Sequence, residues 1–395
     1  MNAQLRDRRY LETPFHARVA AACETNQWYS WKHYTAVQCF TTVQQEYFAI
    51  RNACSVFDIT PITKYRIEGR DGLAYLNRLV TRDLSGLVPG RVSYCVWCND
   101  DGHVLDDGTA FSLGRNRWRL CSQERHLDWL LWSAVGFDVQ VTEETDEIAA
   151  LSLQGPTSCR VLRTLGLDGI DRLRPFDVAE FAFDGTSLMI SRTGFTGDLG
   201  YELWTGPDHA LRLWDALMVA GLPYGIRPIG SQALDIARIE AGFIQAGVDF
   251  VPAEHAVRPG RARSPFELGL GWLVHLQKPN FNGRRALIAE KARGSRYRLV
   301  RLDVEGNKPA RDSFVYDSRR RVVGTVTSAT WSPSAKANIA LASVKVPWGN
   351  LGDRLWAEIY YNRELEWNRV MAHCRVVEGP FFDPPRRRAT PPLDY

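Results

Sequence analysis

The run TSLMISRTGFTGDLGYELW, Thr186 to Trp204, constrains the fold of this chain more than any other stretch. Its two ends alternate polar and apolar residues, and between them lie Gly194, Gly197 and Gly200. Strand, glycine-rich turn and strand is the reading that this pattern predicts. In the second strand Glu202 points away from Tyr201 and Leu203 and shares a face with Gly200 and Trp204. That is an unusual place for a charge without a partner.

The chain has 395 residues, 45% hydrophobic and 24% charged, enough for two or three globular domains. A net charge of +4 is too mild to argue for nucleic acid, although it suits a small anionic ligand. The first residues, MNAQLRDRRYLETPFHARV, hold no apolar run of signal-peptide type, and no window approaches a membrane span, so a cytoplasmic protein with no membrane partner is expected. Eight scattered cysteines do not form a disulfide framework. Cys95 and Cys98 of CVWC lie in a strand-like alternation, which reads as ordinary thiols rather than a redox or zinc pair, and no metal site is expected. The 13 tryptophans invite a search for aromatic-lined pockets.

Strand and helix patterns mix along the chain without a steady βαβ rhythm, which favours α+β over a parallel doubly wound sheet. TTVQQEYFAIRNA, DGLAYLNRLVTRDL and GPDHALRLWDALMVAG read as helices, and CSVFDIT and IAALSLQGP as strands. The stretch from Val248 to Val274 is long and irregular, as a binding surface would be. The last hundred residues are strand-like, and the tail DPPRRRATPPLDY reads as a solvated terminus.

In CNDDGHVLDDGTAFSLG a turn precedes an extended run. Strict alternation puts Leu105, Asp107, Thr109 and Phe111 on one face and Val104, Asp106, Gly108 and Ala110 on the other, so the two carboxylates diverge. Asp107, among apolar neighbours, would have a raised pKa if its face is inside, whereas an exposed pair at a strand edge is the plainer alternative. NDDG lacks the ligand alternation and terminal Glu of a Ca²⁺ loop.

In chain order, ACSVFDIT, LNRLVTRDL, PGRVSYCVWCNDDGHVLDDG, LSLQGP, SRTGFTGDLGYELW, LDIARIEAGF, PFELGLGWLV and GTVTSATWSP resemble the motifs of the folate-dependent aminomethyltransferase family. That family includes the glycine cleavage T-protein and tetrahydrofolate-dependent demethylases. The resemblance implies an α+β three-domain ring, a cloverleaf with a mostly β C-terminal domain and tetrahydrofolate in a central channel. Residues 1–50 and 141–290 would form a discontinuous folate-binding core, 51–140 an α+β domain carrying the Asp-Asp motif, and 291–395 the C-terminal domain.

Residue by residue, the resemblance makes Glu202 the carboxylate that accepts the two parallel pterin donors, a match of bidentate acceptor to paired N–H groups. Tyr94, Phe195 and Trp204 would line the folate, Phe195 standing where many members have tyrosine. Asp107 falls on the aspartate close to the reactive folate nitrogens, with Asp106 as the second choice. Leu234 replaces an arginine of the T-protein pattern, which points away from a lipoyl carrier protein and towards a free small-molecule methyl donor. Arg238 is a candidate to stand in for that arginine in space.

The expected activity is a tetrahydrofolate-dependent methyltransferase or demethylase taking methyl from an O-, S- or N-methylated compound to N5. The alternatives are methylene transfer or aminomethyl transfer forming 5,10-methylene-tetrahydrofolate, and a non-catalytic folate-binding protein. Trp31, His33 and Tyr34 are candidates to meet the donor, their aromatic faces suiting a ring or an onium methyl group, and His255 is a further one. Arg258, Arg261 and Arg263 would attract a polyglutamylated folate tail if they face it.

Overall fold

The computed structural model describes residues 10–392. Within that range the chain divides into two compact units. The first holds the segments up to Ile62, Glu144–Ala237 and from Asp383 on; the second holds Thr63–Glu143 and Arg238–Phe382.

The first unit is built on a six-stranded sheet in the order Val178–Phe183, Thr186–Ser191, Gly200–Thr205, Ala149–Gln154, Cys54–Asp58 and Ile226–Pro228, antiparallel except for the last pair. Ala149–Gln154 is buried at every position, as a central strand covered on both faces must be. Phe15, Val19, Leu162, Leu213, Trp214 and Leu217 help to pack its apolar face.

The helix Val43–Asn52 shows how local chemistry sets a functional side chain. Thr42 caps its first turn by accepting from Gln45 N. Glu46, buried in that turn, accepts backbone N–H bonds from Phe40 (2.6 Å), Thr41 (2.9 Å) and Gly230 (2.7 Å). Hydrogen bonds to a charged acceptor contribute roughly 1.5–3 kcal/mol each, so the helix is firmly oriented. It delivers Arg51, whose Nη1 lies 3.4 Å from Asp198 Oδ2.

The tail differs from the solvated terminus that its composition predicts. Arg386 closes on Asp198 with bonds of 2.6 and 2.8 Å and donates to Arg51 O, and Arg192 donates to Ala389 O and Thr390 Oγ1. Asp198 is buried between two guanidiniums, and breaking one partner of such a buried pair costs on the order of 3–5 kcal/mol. Charged composition therefore misled at Arg386, which is an anchor, whereas Arg388 is exposed and bonds Asp383 within the tail.

The second unit contains a five-stranded antiparallel sheet in the order Arg91–Cys98, Val104–Gly114, Arg117–Ser122, Thr63–Glu68 and Gln140–Glu143. It also contains a closed six-stranded barrel formed by strands between Tyr297 and Val377. The helix Gly72–Leu79 ends earlier than its sequence pattern because Val80 bridges Trp97 and Thr81 N bonds Val96 O. Val96, Cys98 and Val104 from the sheet share an apolar cluster with Ile339 and Leu341 from the barrel. Cys95 lies in a different cluster from Cys98, so both thiols are packing groups. Among the described residues no helix is long and apolar enough to cross a membrane.

Candidate functional site

Two clusters of side chains, one in each unit, gather most of the polar groups singled out above. In the first, Thr186–Ser191 and Gly200–Thr205 pair antiparallel with Ser191 opposite Glu202, and the glycine-rich turn joins them. The turn is moulded around Gln154. Its Nε2 donates to Thr193 O and Tyr201 O, and its Oε1 accepts from Thr196 Oγ1 at 3.0 Å. A Cβ at either Gly194 or Gly200 would lie 2.1 Å from Gln154 Oε1, so any other residue there would have to displace the Gln154 amide from its hydrogen bonds. Arg51 and Arg386 hold the far side of the turn through Asp198.

Glu202 is half-buried on that scaffold. Thr193 Oγ1 donates to its Oε2 at 2.6 Å; Ser191 Oγ lies 2.7 Å from Thr193 Oγ1; Trp204 Nε1 donates to Ser191 Oγ at 3.2 Å. Trp204 thus sits at the back of a hydrogen-bond chain that ends on Glu202. Burial pushes the Glu202 carboxyl up to about 7, against the hydroxyls of Thr193 and Ser191, which pull it down. A desolvated carboxylate met by hydroxyls alone has acceptor capacity to spare, which fits a ligand presenting paired N–H donors. Phe195 is half-buried on the same turn.

In the second unit Tyr94 and Asp107 come together: the Tyr94 hydroxyl donates to Asp107 Oδ2 at 2.6 Å from the neighbouring strand. The Asp107 carboxyl is pushed up to about 7, first by burial and then by the charge of Asp106, with the Tyr94 bond opposing. Asp106 is fully buried on the other side of the strand, which rules out the exposed edge pair. The alternation is not strict, however. Trp97 pairs with Asp106 but Cys98 pairs with Val104, so Leu105 is an extra residue in a bulge. Leu105 therefore packs with Cys95 and Trp97, while Val104 joins Val96 and Cys98.

What sequence reasoning missed is the environment of Asp106. It accepts backbone N–H bonds from Asp107 (2.9 Å) and Glu124 (2.7 Å), and His126 Nε2 lies 3.3 Å from its Oδ2. His126 Nδ1 lies 3.3 Å from Glu254, so the ring spans two carboxylates. Burial draws the imidazole pKa down, and Asp106 and Glu254 outweigh it to leave a net rise. The one available signal was the divergence of the Asp pair, which requires a separate partner for Asp106. Burial pushes the Asp106 carboxyl up, while His126 and the two N–H donors favour its charged form.

The remaining candidates are spread out. Trp31 packs on Phe57 at 5.9 Å with its buried Nε1 lacking a partner, His33 is exposed in the two-residue turn that follows, and Tyr34 is buried and bonded to Asp146. His255 is exposed beside Glu254. Arg238 is committed to Asp249 at 2.5 Å, Ser328 and Phe243 O, so it does not replace the arginine absent at Leu234. Arg258 and Arg261 are exposed, whereas Arg263 covers the Tyr297 ring at 3.9 Å and donates to Gly260 O.

Residues 12–278 match the family described as the GCVT N-terminal domain, and residues 298–383 the glycine cleavage T-protein C-terminal barrel domain. The chain is 33% identical over 310 residues to an aminomethyltransferase of Halothermothrix orenii, covering 78% of this chain and 84% of that one. It is 32% identical over 349 residues to an aminomethyltransferase of Bacillus subtilis, covering 87% and 91%. A trimethylamine-oxide aldolase of Ruegeria pomeroyi is 33% identical over 392 residues, covering 95% of this chain but 48% of that protein. In fold, the chain resembles the glycine cleavage system aminomethyltransferase T of Bartonella henselae, with a TM-score of 0.82 at 24% identity over 95% of this chain and 98% of that one.

Proposed function

The chain belongs to the glycine cleavage T-protein family of folate-dependent aminomethyltransferases, and from that premise we propose that it is a tetrahydrofolate-dependent one-carbon transferase whose donor is a small methylated molecule. Aminomethyltransferases of this family use tetrahydrofolate, which supplies a nucleophilic ring nitrogen, N5, to receive the carbon. The observation that supports the reading is that each unit holds one carboxyl on a strand met by a hydroxyl, Glu202 by Thr193 and Asp107 by Tyr94, with burial pushing each up to about 7.

Glu202 binds and orients: its free acceptor capacity takes the two pterin donors, and Gln154 and Asp198 keep the loop beside it in place. Tyr94 fixes the Asp107 carboxylate with one hydrogen bond. As the donor's C–O, C–S or C–N bond breaks with its electron pair to the leaving atom, Asp107 takes the proton given up by the accepting nitrogen. A carboxyl of pKa about 7 is matched to that task at neutral pH.

Leu234 in place of the arginine of the T-protein pattern supports a free small-molecule donor over a lipoyl-bound aminomethyl group. A second reading, transfer at the formaldehyde level, is favoured by the relative named trimethylamine-oxide aldolase, since an aldolase releases an aldehyde. The product separates the two readings. Incubation with tetrahydrofolate and candidate methoxyaromatics, sulfonium compounds and methylamines is expected to give 5-methyl-tetrahydrofolate; 5,10-methylene-tetrahydrofolate, two electrons more oxidised, would establish the second.

Asp106 acts through Asp107 as a positioning residue, and its charge raises the Asp107 pKa. Asp106→Asn removes that charge, so the acid limb of the pH–rate profile is expected to move to lower pH; an unmoved limb would show that Asp106 does not tune Asp107. At the exposed basic segment, Arg261→Ala is expected to raise the dissociation constant for polyglutamylated folate more than for monoglutamylated folate, and equal effects would remove a role in tail binding.

A further inference from the structure

Arg301 lies on the barrel strand Tyr297–Val304, in register with Leu341 and Val377. Ile339 and Leu341 belong to the apolar cluster that also holds Ile239, Ile244 and Phe250, and Leu299 packs against it. Gly242, at φ +71°, makes room for the guanidinium: a Cβ there would lie 2.6 Å from Arg301 Nε and 2.8 Å from Nη2. Nε is closed off from solvent without a hydrogen-bond partner, and among the described residues no carboxylate pairs with this side chain.

The fully buried arginines among the described residues each bond a partner through a terminal guanidinium nitrogen. Arg51 closes on Asp198, Arg238 on Asp249, and Arg192 on the carbonyls of Leu173 and Ala389. A half-buried guanidinium whose Nε is shut off from water with nothing to bond costs stability, and a methionine of similar volume would fill the same space without that cost. A chain of contacts also links the position to Asp107. Gly242 precedes Phe243, whose carbonyl accepts from Arg238; Arg238 holds Asp249, and the charge of Asp249 adds to the upward push on Asp107.

We propose that Arg301, seated over Gly242, is a carboxylate-binding residue for a ligand of the transferase site. The planar fork of N–H donors matches a carboxylate bidentately. Resting on the one-carbon transferase reading, this narrows its ligands to two sources: the glutamate carboxylates of folate, or a carboxylate carried by the methyl donor.

The test compares the wild type with Arg301→Met and Arg301→Lys by calorimetry and ligand-observed NMR. Tetrahydrofolate is paired with tetrahydropteroate, which lacks the glutamate, and 4-methoxybenzoate with uncharged methoxybenzene. Arg301→Met is expected to weaken the carboxylate-bearing member of one pair about tenfold or more and spare its partner, with Lys recovering part of the loss and the melting temperature unchanged or raised. Loss confined to the folate pair identifies the folate glutamate, and loss confined to the methoxybenzoate pair identifies the donor. Equal loss of both members, no loss in either pair with a lowered melting temperature, or no binding of any carboxylate probe by folded wild type would overturn the assignment. Absence of folate binding with intact, Arg301-dependent methoxybenzoate binding would instead count against the folate reading alone.

Discussion

Asp107→Asn is expected to lower kcat by roughly 10²- to 10⁴-fold while leaving tetrahydrofolate affinity little changed, the range typical for loss of a positioned proton acceptor. The substitution is nearly isosteric, and the amide oxygen can still accept the Tyr94 hydroxyl, so geometry is retained and only proton transfer is removed. Wild-type rate should fall as pH drops through about 7, because Asp107 is then protonated and no longer accepts. That limb should vanish in the Asn variant. Steady-state rates over a pH series check both points; an Asp107→Asn enzyme with wild-type kcat would remove Asp107 from the chemistry.

Glu202→Gln carries the second large effect, and it falls on binding. A neutral amide offers one carbonyl and turns its N–H groups towards the pterin donors, so at least one buried donor on each side lacks a partner. Leaving such groups unsatisfied costs about 1–3 kcal/mol, more where charge is involved, which corresponds to a loss of affinity of roughly five- to 150-fold or more. The wild type should show a matching pH dependence. Partial burial pushes the Glu202 carboxyl up to about 7, and only its ionised form accepts both donors. Affinity should therefore fall as pH drops below about 7, by up to about tenfold per unit, and level off above it. The Gln variant should lack that slope.

Much of this was legible because period-two patterns survive in strands paired on both sides. The alternation around Glu202 and the glycines before it specify the strand, the turn and the face that the carboxylate occupies. The glycines themselves are legible as a turn but not as a mould, since Gln154, whose amide occupies the space beside Gly194 and Gly200, lies 40 residues upstream of the first of them. The divergence of Asp106 and Asp107 also follows from alternation. The bulge at Leu105 does not, because one inserted residue leaves composition and periodicity almost untouched while reversing a face.

Long-range ion pairs account for most of the rest. Arg386 reaches Asp198 across 188 positions, and nothing within DPPRRRATPPLDY distinguishes an anchored arginine from a solvated one. His126 is similar: the turn that carries it has no motif, and its meaning comes from Asp106 and Glu254 arriving at either ring nitrogen. In AEH the sequence drew the eye to His255, yet it is the adjacent Glu254 that reaches His126. Arg301 sits inside a regular strand pattern, and its lack of an Nε partner is a property of the folded chain alone.

The central claim is that Glu202 is needed to bind tetrahydrofolate, whereas Asp107 is needed for transfer and not for binding. Calorimetric titration of tetrahydrofolate into the wild type, Glu202→Gln and Asp107→Asn, side by side at pH 8, tests it most directly. The expected result is micromolar binding by the wild type, retained by the Asn variant and lost or greatly weakened in the Gln variant. A folded wild type that binds no tetrahydrofolate, or a Gln variant that binds it as well as the wild type does, would contradict the account.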